Sequence, residues 1–551
     1  MNRLLLFCLV VFSYININAC EPLVNVEQGA LRGKEVVLAN GKVYHRFSGV
    51  PYAKPPVGDL RFKPTQKAEP WTGTLDAFAE KSSCFQNGGQ GNEDCLFLNV
   101  YVPQTSTNAS LPVMVWIHGG GFINGNGNSY TLGPDYLMEY DVIVVTFNYR
   151  LGALGFLNLE TESAPGNVGM MDQVEALRWV NKNIVAFGGD NTNITISGES
   201  AGSASVHYLL LSDSAKGLFH RAILESGSAL NPWAFQRNHL KRATDLCNAL
   251  KIPTSDPEAA VAALRNISAR TIILTRVPPE VEGQLLTDFV FVPSVEKQFT
   301  THTPFLTERP ITKMLSGNFN KVPVLAGYNS AEGLMYMPNI KNNPNFMQGF
   351  ENNMEKLIPN DLELKPGSNE SMDLAKHIRE FYFQNKPVAQ NILALINALS
   401  DNWFVRGIDR LVKITTKNQK EPVYYYEYFY DENPIHKILH GNHDIEGASH
   451  ADEVVNIFKM VVYVGAVKET ETMRLTRTRM LEMWTNFIKF GDPTPEITNT
   501  LTVKWLPVTE TQVNYLSIYY NNTAGVDPEG MRMQFWANMT ETDVNNKFYL
   551  Y

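Results

Sequence analysis

The stretch Ile194-Thr195-Ile196-Ser197-Gly198-Glu199-Ser200-Ala201-Gly202 decides the fold that the sequence predicts. Its first four residues form a short run typical of a buried strand, and residues 201–211 (AGSASVHYLLL) have helical character. A serine between two glycines at the junction matches the G-x-S-x-G signature of a tight turn from strand to helix. Glycine is favoured there because the turn is strained and neighbouring segments of the chain pass close to it.

Strand patterns that lead into turns and then into helical patterns recur along the chain. Short apolar runs without alternation, typical of strands covered on both faces, occupy residues 112–118, 141–150, 194–197, 221–225, 322–326 and 423–430. Helical patterns lie between them, for example at residues 172–185 and 472–490. This alternation predicts an α/β fold with a large, mostly parallel central sheet and helices on both faces.

Two regions differ from this alternation, and no clear linker divides the chain. Residues 24–43 carry short strands and turns, as an antiparallel edge would. Residues 340–420 are the least regular part and carry helical patterns, which we interpret as a helical insertion over the C-terminal edge of the sheet. We therefore expect one domain over residues 20–551.

Charge and the N-terminal segment limit the class of protein. The 551 residues carry a net charge of −9 without a long run of one sign, which argues against a nucleic-acid partner because such a partner requires a basic stripe. Residues 1–19 combine a basic start, an apolar run and a small residue before Cys20, which is the pattern of a signal peptide. No later segment reaches eighteen apolar residues. The sequence predicts a secreted protein without a membrane anchor and leaves its oligomeric state open.

Secretion makes the glycosylation sequons and the cysteines coherent. The N-x-Ser/Thr pattern occurs at Asn108, Asn193, Asn266, Asn369, Asn521 and Asn538, and the second of these is least favourable because it leads straight into an apolar strand. Cys84 and Cys95 flank a glycine-rich stretch and are expected to form a disulfide, which would contribute about 3 kcal/mol on the chain-entropy estimate. Cys20 and Cys247 are either unpaired or paired with each other.

The hydroxyl of Ser200 becomes a nucleophile only with a base in hydrogen-bond reach and a third group that orients the base. The five-residue pattern around it arises by chance about once in seven chains of this length, so further elements have to support it. One such element is His118-Gly119-Gly120-Gly121-Phe122, which follows an apolar strand. Its backbone N–H groups, together with that of Ala201, predict an oxyanion hole and hence a hydrolase site.

The two remaining catalytic partners should follow in the order Ser, then Asp or Glu, then His. Glu332 comes directly after a predicted strand, where the acid is expected, although a surface carboxylate is the common alternative. Four late histidines compete for the role of base: His436, His440, His443 and His450. The first three cluster in HKILHGNH, which can also be interpreted as a polar loop or an adventitious metal site.

Several further motifs make the chain similar to a known family. They are Phe47-Ser48-Gly49-Val50-Pro51-Tyr52-Ala53, Glu93-Asp94-Cys95-Leu96-Phe97-Leu98-Asn99-Val100, Asn148-Tyr149-Arg150-Leu151-Gly152 and Phe187-Gly188-Gly189-Asp190. With these motifs and the Ser200 turn, the chain resembles the type-B carboxylesterases of the cholinesterase-like group, most of all the secreted insect carboxylesterases. The resemblance covers nearly the whole chain after the first nineteen residues and implies the α/β-hydrolase fold.

The resemblance also assigns roles to individual residues. It implies a catalytic triad of Ser200, Glu332 and His450, and oxyanion donors at Gly120, Gly121 and Ala201. It also implies an acyl-pocket candidate, Trp233, and a first disulfide between Cys84 and Cys95. Packing is an equal alternative for the acyl-pocket candidate. The implied reaction is two-step hydrolysis of small-molecule esters, with no metal and no organic cofactor.

Departures from the family pattern narrow the substrate. Cholinesterases carry a long loop with a tryptophan between their first two cysteines, whereas ten residues without tryptophan separate Cys84 from Cys95 here, so choline esters are unfavourable. Juvenile hormone esterase is an alternative function. Those enzymes usually have glutamine before the nucleophile, whereas this chain has Glu199, which argues against this function without excluding it. Xenobiotic, odorant or pheromone, and dietary esters stay open. A binding or adhesion relative that has lost its serine is the alternative from another class, and the complete triad argues against it.

Overall fold

The computed structural model describes residues 21–104, 110–278, 289–343, 345–432, 445–461 and 468–541. The strands are β1 (Leu23–Val26), β2 (Gly29–Arg32), β3 (Lys34–Val37), β4 (Val43–Pro51), β5 (Thr74–Asp76), β6 (Phe97–Pro103), β7 (Leu111–Ile117), β8 (Ile143–Phe147), β9 (Asn158–Thr161), β10 (Ala164–Pro165), β11 (Gly189–Glu199), β12 (Arg221–Glu225), β13 (Val324–Asn329), β14 (Val423–Tyr428), β15 (Asn514–Ile518) and β16 (Thr523–Val526).

The α-helices follow the strands in the predicted alternation. They are α1 (Gly152–Phe156), α2 (Val168–Asn183), α3 (Ala201–Leu211), α4 (His239–Ala249), α5 (Pro257–Arg265), α6 (Ala269–Leu274), α7 (Pro310–Ser316), α8 (Met337–Asn342), α9 (Asn345–Asn352), α10 (Asn369–Phe383), α11 (Ile392–Ser400), α12 (Arg406–Asn418), α13 (Glu471–Phe490) and α14 (Gly530–Glu541). Helices α8 to α12 fall within or beside residues 340–420, so the helical character predicted for that region is confirmed.

Eleven of the described strands form one sheet in the order β16-β15-β14-β13-β12-β11-β7-β8-β6-β4-β3. The seven from β15 to β8 run parallel to their neighbours, while β16 at one edge and β6, β4 and β3 at the other pair antiparallel. The prediction of a large, mostly parallel sheet with an antiparallel N-terminal edge is therefore confirmed. The carboxyl ends of the parallel strands all point to one edge, where α/β folds carry their sites.

Alternate side chains of the central strands serve two cores, one on each face of the sheet. On β7, Val113, Val115 and Ile117 join the core that contains helices α2, α3 and α12, while Met114 and Trp116 join the core formed with α13. Because both faces are covered, these strands are apolar without alternation, as the sequence indicated.

The strand predicted at residues 141–150 is shorter in the structure, where β8 ends at Phe147. Of the three residues after it, Asn148 still donates its backbone N–H to Phe97 on β6 at 3.0 Å, but side chains of this segment bind elsewhere. The Asn148 amide donates to the carbonyl of Cys95 at 3.2 Å, and Arg150 forms a buried ion pair with Asp172 on α2 at 2.7 Å. An apolar run therefore overestimated the strand, since polar anchors ended the pairing.

The cysteines and sequons fall on both described and undescribed residues. Cys84 and Cys95 form a disulfide, and Cys247 is a buried free thiol whose pKa burial raises to about 11. Cys20, the predicted signal peptide at 1–19 and the sequon at Asn108 lie outside the described residues. The exposed sequon asparagines are Asn266, Asn369, Asn521 and Asn538. Asn193 is half-buried and accepts a hydrogen bond from Arg221. No described helix is both long and apolar enough to cross a membrane.

Candidate active site

Ser200 lies at the sharp turn between β11 and α3. Its backbone adopts φ +58° and ψ −123°, a strained conformation for a residue other than glycine, and its N–H donates to the carbonyl of Glu225 on β12 at 2.8 Å. A Cβ on Gly202 would lie 2.0 Å from the carbonyl oxygen of Ile117, and one on Gly198 would lie 2.6 Å from the backbone of Gly202. The glycines that flank Ser200 are therefore sterically required.

The triple-glycine loop that follows β7 passes directly beside Ser200. A Cβ added to Gly119 would lie 3.0 Å from the Cβ of Ser200, so loop and nucleophile are in contact. Gly120 and Gly121 have φ of +103° and +63°, which an L side chain rarely adopts. The N–H of Ala201 belongs to the first turn of α3, where backbone donors have no partner inside the helix. The structure thus places the loop that contains Gly120 and Gly121 beside Ser200, the residue that precedes Ala201.

His450 lies between Ser200 and Glu332. Its Nε2 is 2.9 Å from the hydroxyl oxygen of Ser200, and its Nδ1 is 2.6 Å from Oε2 of Glu332. The other carboxylate oxygen of Glu332 accepts the N–H of Asn329 at 2.8 Å. The Glu332 side chain is fully buried and the His450 side chain is 11% exposed, so solvent does not separate these groups.

Backbone hydrogen bonds hold the loop that carries His450 against the loop that carries Glu332. The N–H of Ala331 donates to the carbonyl of Ala448 at 2.9 Å, and the N–H of Ala448 donates to the hydroxyl of Ser330 at 3.1 Å. The side-chain amide of Asn329 donates to the carbonyl of Ser449 at 2.7 Å. These contacts bring together two residues separated by 118 positions. The competing His436, His440 and His443 lie outside the described residues.

Buried carboxyl groups surround the imidazole of His450. Oε1 of Glu199 lies 3.1 Å from its Nε2, and burial raises the pKa of the Glu199 carboxyl. Burial alone would lower the pKa of His450, but the negative charges of Glu199 and Glu332 outweigh it and raise that pKa. Glu225, whose Oε1 accepts the indole N–H of Trp484 at 2.8 Å, and Glu453 also have pKa values raised by burial. The negative charges beside the ring therefore stabilise the imidazolium that would form if His450 accepted a proton from Ser200.

A row of aromatic rings runs to His450 from the triple-glycine loop, Gly119–Gly121, which we call the oxyanion loop after its predicted role. The ring of Phe289 lies against Gly121, where an added Cβ would be 2.6 Å from it. Trp233 contacts Phe289 at 6.4 Å and Phe404 at 6.0 Å between ring centroids, and Phe404 lies 4.4 Å from the His450 ring. We call these three residues, Phe289, Trp233 and Phe404, the aromatic wall. Sequence reasoning singled out only Trp233.

A single π-helical turn, Asp401–Val405, holds the aromatic wall in place between α11 and α12. Its wider turn frees backbone carbonyls from the regular ladder. The carbonyl of Trp403 accepts the indole N–H of Trp233 at 2.7 Å and the side-chain amide of Asn231 at 2.8 Å, and the same amide donates to the carbonyl of Phe404 at 2.9 Å. No sequence signal marks this turn, because it depends on partners about 170 residues away.

Comparisons with known proteins identify the family of this chain. A profile of the Carboxylesterase family matches residues 20–536. The chain is 36% identical to a juvenile hormone esterase from Tribolium castaneum, with 86% of this chain and 84% of that protein covered. It is 34% identical to a carboxylic ester hydrolase from Bombus ignitus, with 96% and 94% covered.

The crystal structure of a juvenile hormone esterase from Manduca sexta, with OTFP covalently attached, superposes with a TM-score of 0.83 at 29% identity. The match covers 95% of this chain and 100% of that one. Together with the family profile, it confirms the α/β-hydrolase fold implied by the sequence. The chain therefore belongs to the carboxylesterase family and is a hydrolase that acts on esters.

Proposed function

We propose that this chain is a serine carboxylesterase that hydrolyses small carboxylic esters through an acyl-enzyme on Ser200. The observation that carries the proposal is the continuous hydrogen-bonded series from the Ser200 hydroxyl through His450 to Glu332, at 2.9 and 2.6 Å. A serine, an imidazole and a buried carboxylate in this order are the parts that nucleophilic catalysis by serine requires.

The reaction begins when His450 Nε2 takes the proton of Ser200 as its oxygen attacks the ester carbonyl carbon. The carbonyl oxygen becomes an oxyanion, which the N–H groups of Gly120, Gly121 and Ala201 stabilise. The carbon–oxygen bond to the alcohol then breaks, and the alcohol leaves with the proton from His450. Water attacks the acyl-enzyme with His450 again acting as the base, which releases the acid and restores Ser200.

Covalent labelling tests this proposal directly. An organophosphate should inactivate the enzyme at one equivalent per chain, because phosphorylation of the serine mimics the first step without the second. Mass spectrometry of a proteolytic digest should recover the label on the peptide that contains Ser200. Labelling on another residue, or full activity in a stoichiometrically labelled protein, would contradict the proposal.

The aromatic wall supports a preference for esters of short acyl groups. The oxyanion loop fixes where the carbonyl oxygen of the substrate sits, and the wall runs from Gly121 in that loop to the ring of His450. The acyl chain of a bound ester would therefore point toward Trp233 and Phe404. Three rigid rings leave a long chain little room, because displacing packed aromatic side chains is costly.

Shortening this wall should change the preference for acyl length. We expect Trp233→Leu to raise the ratio of kcat/KM for p-nitrophenyl butyrate over p-nitrophenyl acetate by about tenfold, since one or two methylene groups in an apolar pocket alter discrimination by about that factor. Trp71→Leu is the matched control: its indole donates to the carbonyl of Ala30, away from the site, and it should keep the wild-type ratio. An unchanged ratio in Trp233→Leu would assign that residue to packing alone.

Juvenile hormone esterase is the second candidate function. It is supported by the relatives from Tribolium castaneum and Manduca sexta, whose names carry that activity. Glu199 argues against it, because the group usually has glutamine at that position. Measurement of kcat/KM for juvenile hormone beside simple acetates and butyrates decides between the two: a higher value for the hormone supports the second candidate, and a lower value supports the general esterase.

Secretion is part of the same proposal. It is supported by the signal-peptide pattern of residues 1–19 and by the exposure of the sequon asparagines Asn266, Asn369, Asn521 and Asn538. Protein recovered from the medium of insect cells should begin at Cys20 on N-terminal sequencing. Retention of the full chain inside the cells would contradict secretion.

A further inference from the structure

The carbonyl groups of Gly119 and Gly120 in the oxyanion loop each accept a hydrogen bond from this chain. The carbonyl of Gly120 accepts the N–H groups of Ile123 at 3.1 Å and Asn124 at 2.9 Å. The carbonyl of Gly119 lies 2.9 Å from Nδ1 of His118, the residue that precedes the three glycines. The first carbonyl is therefore held by backbone donors, and the second is held by one side chain.

The partner of Gly119 matters because of the geometry of the peptide bond. In a planar trans peptide, the C=O of Gly119 and the N–H of Gly120 point in opposite directions. A donor that fixes the carbonyl of Gly119 therefore also fixes the direction of the Gly120 N–H. It strengthens that N–H as a donor too, since hydrogen bonds in series polarise one another.

The proton of this hydrogen bond belongs to His118. A carbonyl oxygen can only accept, so Nδ1 carries the hydrogen and the neutral ring has its lone pair on Nε2. Burial lowers the pKa of His118 to about 4, which keeps the ring neutral throughout the pH range in which esterases are assayed. Among the described residues, no group hydrogen-bonds Nε2.

The ring of His118 has little freedom to turn. It stacks on the ring of Tyr149 with centroids 4.4 Å apart and planes within 18°, and the Tyr149 hydroxyl donates to the carbonyl of His118 at 3.0 Å. On its other side, Gly125 is so close that an added Cβ would lie 2.2 Å from Nδ1. The chain thus confines both the ring and the backbone of this residue.

We propose that His118 is a positioning residue, which directs the Gly120 N–H at the oxyanion through the carbonyl of Gly119. This inference rests on the proposed function, because it requires an oxyanion beside Ser200. His118 touches neither substrate nor the reacting atoms, and its effect should be largest where negative charge develops on the carbonyl oxygen. Ester binding in the ground state should change little.

Two substitutions separate the donor from the volume of the ring. Asparagine places its side-chain amide N–H close to the position of Nδ1, whereas leucine fills similar space without a donor. We expect His118→Leu to lower kcat by about tenfold to a hundredfold with KM nearly unchanged, which is less than the loss on deleting an oxyanion donor outright. His118→Asn should recover kcat to within about fivefold of the wild type.

A trifluoromethyl ketone supplies a readout that loss of structure alone would not produce. Attack of the Ser200 oxygen on its carbonyl forms a tetrahedral adduct with a negatively charged oxygen, so its inhibition constant reports on the oxyanion hole. The inhibition constant should rise in His118→Leu by the same factor as kcat falls. In His118→Asn it should return toward the wild-type value. The control is His220→Leu. His220 accepts the N–H of Ile194 directly before the amino end of β12, whereas Ser200 follows the carboxyl end of β11, so this variant should not affect either value.

Thermal unfolding establishes that the variants are folded at the assay temperature. If His118→Leu fails to fold, His118→Gln replaces it. The glutamine side chain is longer than asparagine and carries its amide past the Nδ1 position, so this variant should show the same loss of kcat. Wild-type kcat in the folded variant without a donor would overturn the inference, as would equal losses in His118→Asn and His118→Leu. An active Ser200→Ala variant would instead overturn the proposed function, so the two failures are distinguishable.

Discussion

Replacing Ser200 by alanine should lower kcat/KM for p-nitrophenyl acetate by roughly 10⁵-fold to 10⁶-fold, the loss seen when a serine hydrolase is deprived of its nucleophile. The alanine variant keeps the oxyanion donors and the imidazole, but it has no hydroxyl that His450 could deprotonate for attack on the ester. The small residual rate should come from water attacking an ester held in the site. Organophosphate labelling should be lost in the same variant.

The fold should survive this substitution, so circular dichroism and thermal unfolding should match the wild type. The matched control is Ser197→Ala, three residues earlier on β11. The Ser197 hydroxyl is buried and has no hydrogen-bond partner among the described residues, so its removal should leave activity and labelling unchanged. A Ser200→Ala variant that still hydrolyses the ester at the wild-type rate would contradict the proposed mechanism.

Local constraints explain what the sequence could predict. The turn at Ser200 was recognisable because its steric demands fall on two nearby glycines. A Cβ on one of them, Gly202, would lie 2.0 Å from the carbonyl oxygen of Ile117. The parallel strands were recognisable because burial on both faces demands apolar runs. The sequence did not predict where those strands end, because the ion pair that Arg150 forms with Asp172 is visible only in the folded structure.

Long-range contacts explain what the sequence left open. Four histidines competed for one role, and the one beside Ser200 is held there by pairing between Ala331 and Ala448, which no local pattern encodes. Phe404 lies beside Trp233 in a π-helical turn whose carbonyl groups accept hydrogen bonds from the indole and from Asn231. His118 was visible as part of a glycine-rich motif, but its hydrogen bond to Gly119 needed the geometry of the ring.

Replacing Glu332 by glutamine should lower kcat by about 10⁴-fold, because the new side chain would select the wrong tautomer of His450. The carboxylate uses its two oxygens for different partners: Oε1 accepts the N–H of Asn329 and Oε2 faces Nδ1 of His450. In glutamine only the oxygen can accept from Asn329, so the amide nitrogen would occupy the position that faces the imidazole. Nδ1 would then have to accept a hydrogen bond, and the ring proton would move to Nε2.

An imidazole with its proton on Nε2 cannot remove the proton of Ser200, even though every heavy atom stays in place. Ester hydrolysis and organophosphate labelling should therefore slow by the same factor, because both begin with that proton transfer. Glu296→Gln is the matched control, since Glu296 is also buried and accepts the N–H groups of Phe305 and Leu306, yet lies outside the site. More than about a tenth of wild-type kcat in Glu332→Gln would show that Glu332 does not set the tautomer of His450.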